Sequence, residues 1–258
     1  MFVDPLAEQY IGWTPYHYVH QNPINLIDHT GMAAIDWEPD KNGNLISEVG
    51  DNSRTLADKL EISETEASKM INSQGLKRDN YVQTDANVKE GQTLKVNDTR
   101  QRIAIIAEYN IGSESWNLDV SRGDYPEGSN KCNVFVGEVT SAAEASPGKP
   151  NVINPRMSKL PFVDEKYGFP LAGQWADSSY SIDNWRTLGA NEKLMRGDIA
   201  SYSFNYSDAS GHVAIVTSRK GFTVGTSGTN NRISRSDFGF NPERSNGNKI
   251  VFRRYIGN

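Results

Sequence analysis

Cys132 is the only cysteine among 258 residues, which narrows what sulfur can do in this chain. No intramolecular disulfide can form, and a zinc site of four cysteines, or of two cysteines and two histidines, is excluded. The thiol is therefore either a small core residue or a nucleophile. Its neighbours bear on that choice. Tyr125-Pro126-Glu127-Gly128 reads as a turn that delivers Ser129-Asn130, two good N-cap types, directly before Lys131-Cys132-Asn133-Val134-Phe135-Val136. A helix from there places Cys132, Phe135, Val136, Val139 and Ala143 on one face. The sulfur then sits on the inward side of the first turn. Unpaired N–H groups and the positive helix end favour a thiolate there and can hold a developing oxyanion. A buried, inert cysteine would occupy the same apolar stripe.

A nucleophilic thiol needs a base. Of four histidines, His17, His20 and His29 lie within the first 32 residues, leaving His212 for the rest of the chain. His212 stands in Gly211-His212-Val213-Ala214-Ile215-Val216, an apolar run with strand character, and a strand lying against the cysteine helix would bring imidazole to thiol. A third polar group should orient the ring. If Arg219-Lys220 is a two-residue hairpin loop, opposing positions sum to 439 and His212 faces Ser227. A register shift offers Thr226 or Thr229 instead, and Asp237 is a more distant acidic alternative. The candidate set is Cys132, His212 and Ser227.

The elements that must position these groups fall in residues 98–258. Residues 102–110 read as a helix with Ile103, Ile106 and Ala107 on one face, stopped near Gly112. Ahead of them, residues 45–97 read as strand, two short helices and strand. Leu56 and Leu60 share a face of the first helix, Ser63-Glu64-Thr65-Glu66 is a capping box for the second, and Ala67, Met70 and Ile71 continue its apolar stripe. The expected class is α+β.

Charge is uneven along the chain. Residues 1–32 carry no basic and 3 acidic groups, residues 33–97 carry 8 and 12, and residues 98–258 carry 19 and 17. Residues 219–254 hold 8 basic and 2 acidic groups, a local excess suited to an anionic polymer or to a solvated face. No apolar run is long enough for a membrane span, and no signal peptide opens the sequence.

Three stretches resemble known families. Residues 1–32, with Asp4-Pro5-Leu6, Trp13-Thr14-Pro15-Tyr16, Asn22-Pro23 and Asp28-x-Thr30-Gly31, resemble the end of an Rhs-repeat core, the sequestering shell that precedes a variable toxin. At that family's self-cleavage point His29 stands in place of a proline and Met32 in place of a leucine. Residues 33–97, through Val49-Gly50-Asp51-Asn52-Ser53-x-Thr55-Leu56-Ala57 and Val88-x-x-Gly91-Gln92-x-Leu94-Lys95-Val96, look like a LysM module. That likeness implies binding to N-acetylglucosamine polymers such as peptidoglycan. Residues 98–258 resemble a papain-fold cell-wall amidase of the NlpC and CHAP type. The carrying phrases are Asn130-Lys131-Cys132-Asn133-x-Phe135-Val136, Pro170-Leu171-Ala172-Gly173-x-Trp175-Ala176-Asp177, Arg196-Gly197-Asp198-Ile199 and Gly211-His212-Val213-Ala214-Ile215-Val216. Arg196 stands where that family often has proline.

These resemblances imply a small βααβ module followed by a papain-like domain whose Cys132 helix lies on an antiparallel sheet bearing His212. They imply cysteine-dependent hydrolysis of amide bonds in peptidoglycan, in a toxin delivered to the periplasm or cell wall of rival bacteria and matched by a cognate immunity protein. A non-catalytic wall-binding module and a papain-fold toxin that modifies a protein are the rival expectations. No cofactor is called for. Trp175, Tyr180, Trp185 and Tyr202 could line a groove, although aromatics are more often core. Asp164 with Glu165, and Asp183, fit solvated positions better than a glycosidase pair. No phosphate loop, metal-ligand spacing or nucleic-acid motif is present.

Overall fold

The computed structural model describes residues 37–77, 87–153, 166–205, 209–227, 231–236 and 249–257. The Rhs-like stretch 1–32 lies outside them, as do Thr229, Asp237, Asp164 and Glu165. The architecture is α+β, and the chain divides into two compact units. One holds Asn44–Lys95 with the residues up to Pro39; the other holds Asp40–Gly43 and Val96–Asn258.

In the first unit, β1 (Glu38–Pro39), β2 (Leu45–Ile46) and β3 (Thr93–Leu94) form an antiparallel sheet in that order. Two helices, α1 (Ser53–Leu60) and α2 (Glu64–Ser73), connect β2 to β3. Each begins at a reciprocal cap. Asn52 accepts from the amides of Arg54 and Thr55, and Ser63 exchanges bonds with Glu66. Their inward faces place Leu56, Leu60, Ala67 and Ile71 around Trp37, Leu45 and Leu94, all fully or almost fully buried. Burial of that kind stabilises by roughly 1.5–3 kcal/mol per large side chain. The strand expected over residues 45–49 is only two residues long. Ser47 still exchanges backbone bonds with Gln92 and Gly91 ahead of β3, while the Glu48 amide turns to the Asp51 carboxylate.

The second unit is built on a six-stranded antiparallel sheet. In chain order its strands are β6 (Trp185–Thr187), β7 (Ile199–Ser203), β8 (Gly211–Val216), β9 (Thr223–Ser227), β10 (Arg232–Ser236) and β11 (Val251–Tyr255). In space they run β10-β9-β8-β7-β11-β6, so the last strand of the chain lies between two earlier ones. A separate pair, β4 (Asn151–Ile153) and β5 (Lys166–Gly168), is also antiparallel. Three helices, α3 (Thr99–Tyr109), α4 (Cys132–Ala142) and α5 (Ala172–Ala176), complete the unit.

Strand alternation sorts the sheet into two faces. Ile199, Val213, Ile215, Val224 and Ile233 join Phe135, Val136 and Val139 of α4, Ile103 and Ile106 of α3, and Trp175 of α5 in the main core. Ala200, Ala214 and Val216 lie on the other face with Tyr202, Leu194 and Phe252. Trp175 and Trp185 are core residues stacked edge to face with centroids 5.2 Å apart, not groove linings.

Three arginines hold these layers together. Arg196 makes a buried two-pronged ion pair with Glu108 of α3 and bonds Gln101. Arg254 pairs with the fully buried Asp198 just ahead of β7. Arg253 has no carboxylate partner at bonding distance among the described residues. Its guanidinium donates instead to the carbonyls of Trp175, Asp177 and Tyr180, fixing the chain that leaves α5.

Candidate active site

Cys132 is the first residue of α4, and the apolar positions three, four, seven and eleven residues on are all buried. The cap differs from the sequence expectation. Lys131 is the N-cap and makes no side-chain cap bond. Ser129 is spent elsewhere, its hydroxyl donating to the Pro126 carbonyl at 2.6 Å. The buried Lys131 ammonium turns away to the carbonyls of Asn117 and Ser129. Neither the Ser129 hydroxyl nor the Lys131 side chain caps the first turn of α4.

Burial pushes the Cys132 thiol above its ordinary range, while the backbone N–H groups of Val213, Asn133 and Cys132 itself bond the sulfur and oppose that rise. The Val213 contact follows from sheet geometry. Even-numbered residues of β8 bond toward β7, as Val216 N–H does to the Asp198 carbonyl and Ser210 C=O does to the Phe204 amide. The odd-numbered amides consequently look toward β9. The β8–β9 ladder holds Ile215↔Val224 and Val216↔Thr223. Val213 lies one step past those pairs, and its backbone is the first of the groups that oppose the rise of the thiol.

His212 precedes Val213 in β8. Side chains alternate, however. Val213 points into the core with α4, while His212 shares the opposite face with its cross-strand partner Tyr202, ring centroids 6.1 Å apart. The ring keeps part of its surface accessible, yet it is surrounded densely enough that burial pushes its pKa down to about 4. At neutral pH the imidazole is uncharged and can accept a proton.

The hairpin register is the one anticipated from an Arg219–Lys220 turn, with Thr217 N–H donating to the Phe222 carbonyl and paired positions summing to 439. The ladder ends at Ile215↔Val224, so the pairing of His212 with Ser227 expected from the sequence is not among its bonds. Gly225 allows the close approach on the way, since a Cβ there would come within 2.8 Å of the Ala214 Cβ. The Ser227 backbone pairs with Arg232. Its side chain lies outside the described atoms. Thr226 is opposite Ile233 and half-buried. Tyr202 is thus the residue seen beside the imidazole, and it is set there by direct pairing of β7 with β8.

Residues 169–174 link the two elements. The Phe169 carbonyl accepts from Asn133, the residue after Cys132, at 3.4 Å and from Asn151 at 2.9 Å. The Phe169 amide donates to the Tyr125 hydroxyl. Four residues on, the Gly173 amide donates to the Ser210 hydroxyl, two residues before His212, at 3.0 Å. The phrase from Pro170 to Asp177 is in part the short helix α5. Its anchors Asn133, Asn151 and Ser210 were not singled out in the sequence, because polar groups 36, 18 and 37 residues from their partners leave no periodic trace.

Among the described residues, no group of three or more His, Cys, Asp or Glu side chains is placed to hold a metal ion, and no helix is long and apolar enough to cross a membrane. No family model matches the chain, and no curated protein matches it.

Proposed function

We propose that this protein is a cysteine-dependent amidase or endopeptidase acting on the peptides of bacterial peptidoglycan, with a papain-like C-terminal domain and a LysM-like module ahead of it. The observation that carries the reading is the seat of Cys132. Its thiol stands on the first turn of α4, whose N-cap makes no side-chain bond, and packs in the core cluster that holds Val213, the neighbour of His212 in β8. The His212 ring lies on the Tyr202 face. In the proposed reaction the imidazole must therefore first turn from Tyr202 to the Cys132 side, where it accepts the thiol proton as sulfur attacks the amide carbonyl carbon. The N–H groups of Cys132 and Asn133 then turn from sulfur to the developing oxyanion. The imidazolium returns its proton to the leaving nitrogen, and water hydrolyses the thioester to free the acid and restore the thiol. The Rhs-like start supports a toxin delivered to the wall of a competing bacterium, which calls for an immunity protein in the producer. The test is digestion of purified sacculi followed by mass analysis. The full chain should release peptides and Cys132→Ala should reduce release by at least about a thousandfold; undiminished release by the variant would sink the proposal.

A second reading has its own support. Strand alternation sends the His212 ring toward Tyr202, and burial keeps the thiol protonated. Those features suit a wall-binding module that keeps the fold without the reaction. Sedimentation with sacculi without peptide release, by both the natural chain and Cys132→Ala, would favour it.

A further inference from the structure

We infer that Arg122 is a carboxylate-binding residue that takes the free C-terminus of a peptide bound at the Cys132 site. The inference rests on the peptidase reading above and names the substrate class, peptides with an unblocked C-terminal carboxylate a few residues from the scissile amide. The backbone of Arg122 is fixed from both sides. Its amide donates to the Tyr125 carbonyl at 2.8 Å, and the Tyr125 amide returns a bond of 3.0 Å, closing a tight turn over Gly123 and Asp124. Tyr125 is anchored in turn, because its hydroxyl accepts from the Phe169 amide at 3.1 Å. The side chain is held as firmly. Its guanidinium carbon lies 3.9 Å from the Trp116 ring centroid, and Nε donates to Glu138 Oε2 of α4 at 2.7 Å. Trp116 Nε1 donates to the same oxygen at 2.9 Å.

This arrangement consumes Nε and leaves both terminal amino groups, Nη1 and Nη2, without an acceptor among the described residues, on a side chain that is 32% exposed. A guanidinium stacked on an aromatic face with its fork unspent is preorganised for two-pronged contact with a carboxylate. Glu138 offsets the charge but does not occupy the fork. Two acidic groups of the same loop have partners of their own, Asp124 in Lys166 and Asp119 in Asn231. Lys149, 5.0 Å from the Phe169 ring centroid, adds positive charge on the Tyr125 side. Packed groups join this fork to the thiol. Trp116 meets Phe135 edge to face at 5.1 Å, Phe135 stands three residues after Cys132 on α4, and all three belong to one core cluster. The guanidinium is thereby at most about 20 Å from Cys132, the span of about six extended residues.

The test is calorimetric binding to the full chain carrying Cys132→Ala, so that no turnover intervenes. The probes are a stem pentapeptide whose one carboxylate is its C-terminus, and the same peptide as its C-terminal amide. The free acid should bind about tenfold more tightly than the amide. Adding Arg122→Gln should abolish that preference, and Arg122→Lys should keep part of it, since charge survives without the fork. Glu138→Gln supplies the readout that a mere structural brace would not give. It removes a competing carboxylate and should strengthen binding of the free acid by about two- to threefold. Equal binding of acid and amide, no binding of either, a preference that survives Arg122→Gln, or a Glu138→Gln loss as large as that of Arg122→Gln each overturns the inference. A thermal melt of every variant checks that the fold is kept. Peptide release from sacculi by the natural chain judges the peptidase reading separately, so a chain that prefers the free acid but releases nothing keeps the carboxylate site and loses the reaction.

Discussion

At pH 7 neither member of the candidate pair is charged. Burial raises the Cys132 thiol above its ordinary pKa, and burial lowers His212 to about 4. A resting thiolate–imidazolium pair is therefore not the ground state, and the proposed reaction requires the proton to move only once substrate is bound. The sign of the resulting pH dependence is fixed. Alkylation needs thiolate, so iodoacetamide labelling of Cys132 should stay slow through neutrality and climb only above about pH 9. Labelling that is half-maximal near pH 6 would instead reveal a preformed ion pair. At this scale the sequence was informative where periodicity applied: the apolar stripe of α4 located Cys132 on an inward first turn. It misplaced the cap at Ser129-Asn130, because Ser129 and Lys131 choose acceptors in the preceding loop, and loop geometry has no period to read.

The elements transmit constraints to the site through a few close approaches. Gly137 of α4 is one, because a Cβ there would run into the Phe169 ring. Alanine is the better helix former by about 1 kcal/mol, yet Gly137→Ala should destabilise the protein by about 1–3 kcal/mol, since overpacking outweighs propensity. Urea unfolding measures the balance, and a more stable variant would show that Phe169 yields easily. The same substitution should push residues 169–173 outward, because Phe169 and Gly173 belong to one anchored span. The Ser63–Glu66 capping box and the β8–β9 register were both legible, since each is set within a handful of residues. Helix α5 was not, being five residues long, and neither were β1 and β4 to β6, whose two or three residues carry no alternation. The Arg196–Glu108 pair was equally hidden: 88 residues separate its members, and only the assembled fold brings them together.

On the scale of the whole molecule, His212 couples folding to acidity. Its folded pKa is about 4, below the ordinary 6.5, so between those values the unfolded chain binds more protons. Stability should hold above about pH 6.5 and fall as the pH drops toward 4, by up to about 3 kcal/mol for this group, less what partial exposure returns. His212→Gln should show a shallower loss over the same window when melting temperature is followed against pH; parallel curves would mean that the ring is solvated in the native state.

The sheet order carries a consequence in time. β11 is the last strand of the chain, yet it lies between β7 and β6, and its Arg253 fixes the stretch that leaves α5. During synthesis on a ribosome, a growing chain that stops short of Val251 can build neither junction of β11 with its neighbours. Such a chain also lacks the guanidinium that pins residues 174–180, so the wall beside Cys132 takes its final form only after nearly all of this unit has been made. The nascent protein thus carries its thiol for more than a hundred residues of elongation before the surroundings that could put it to use are complete.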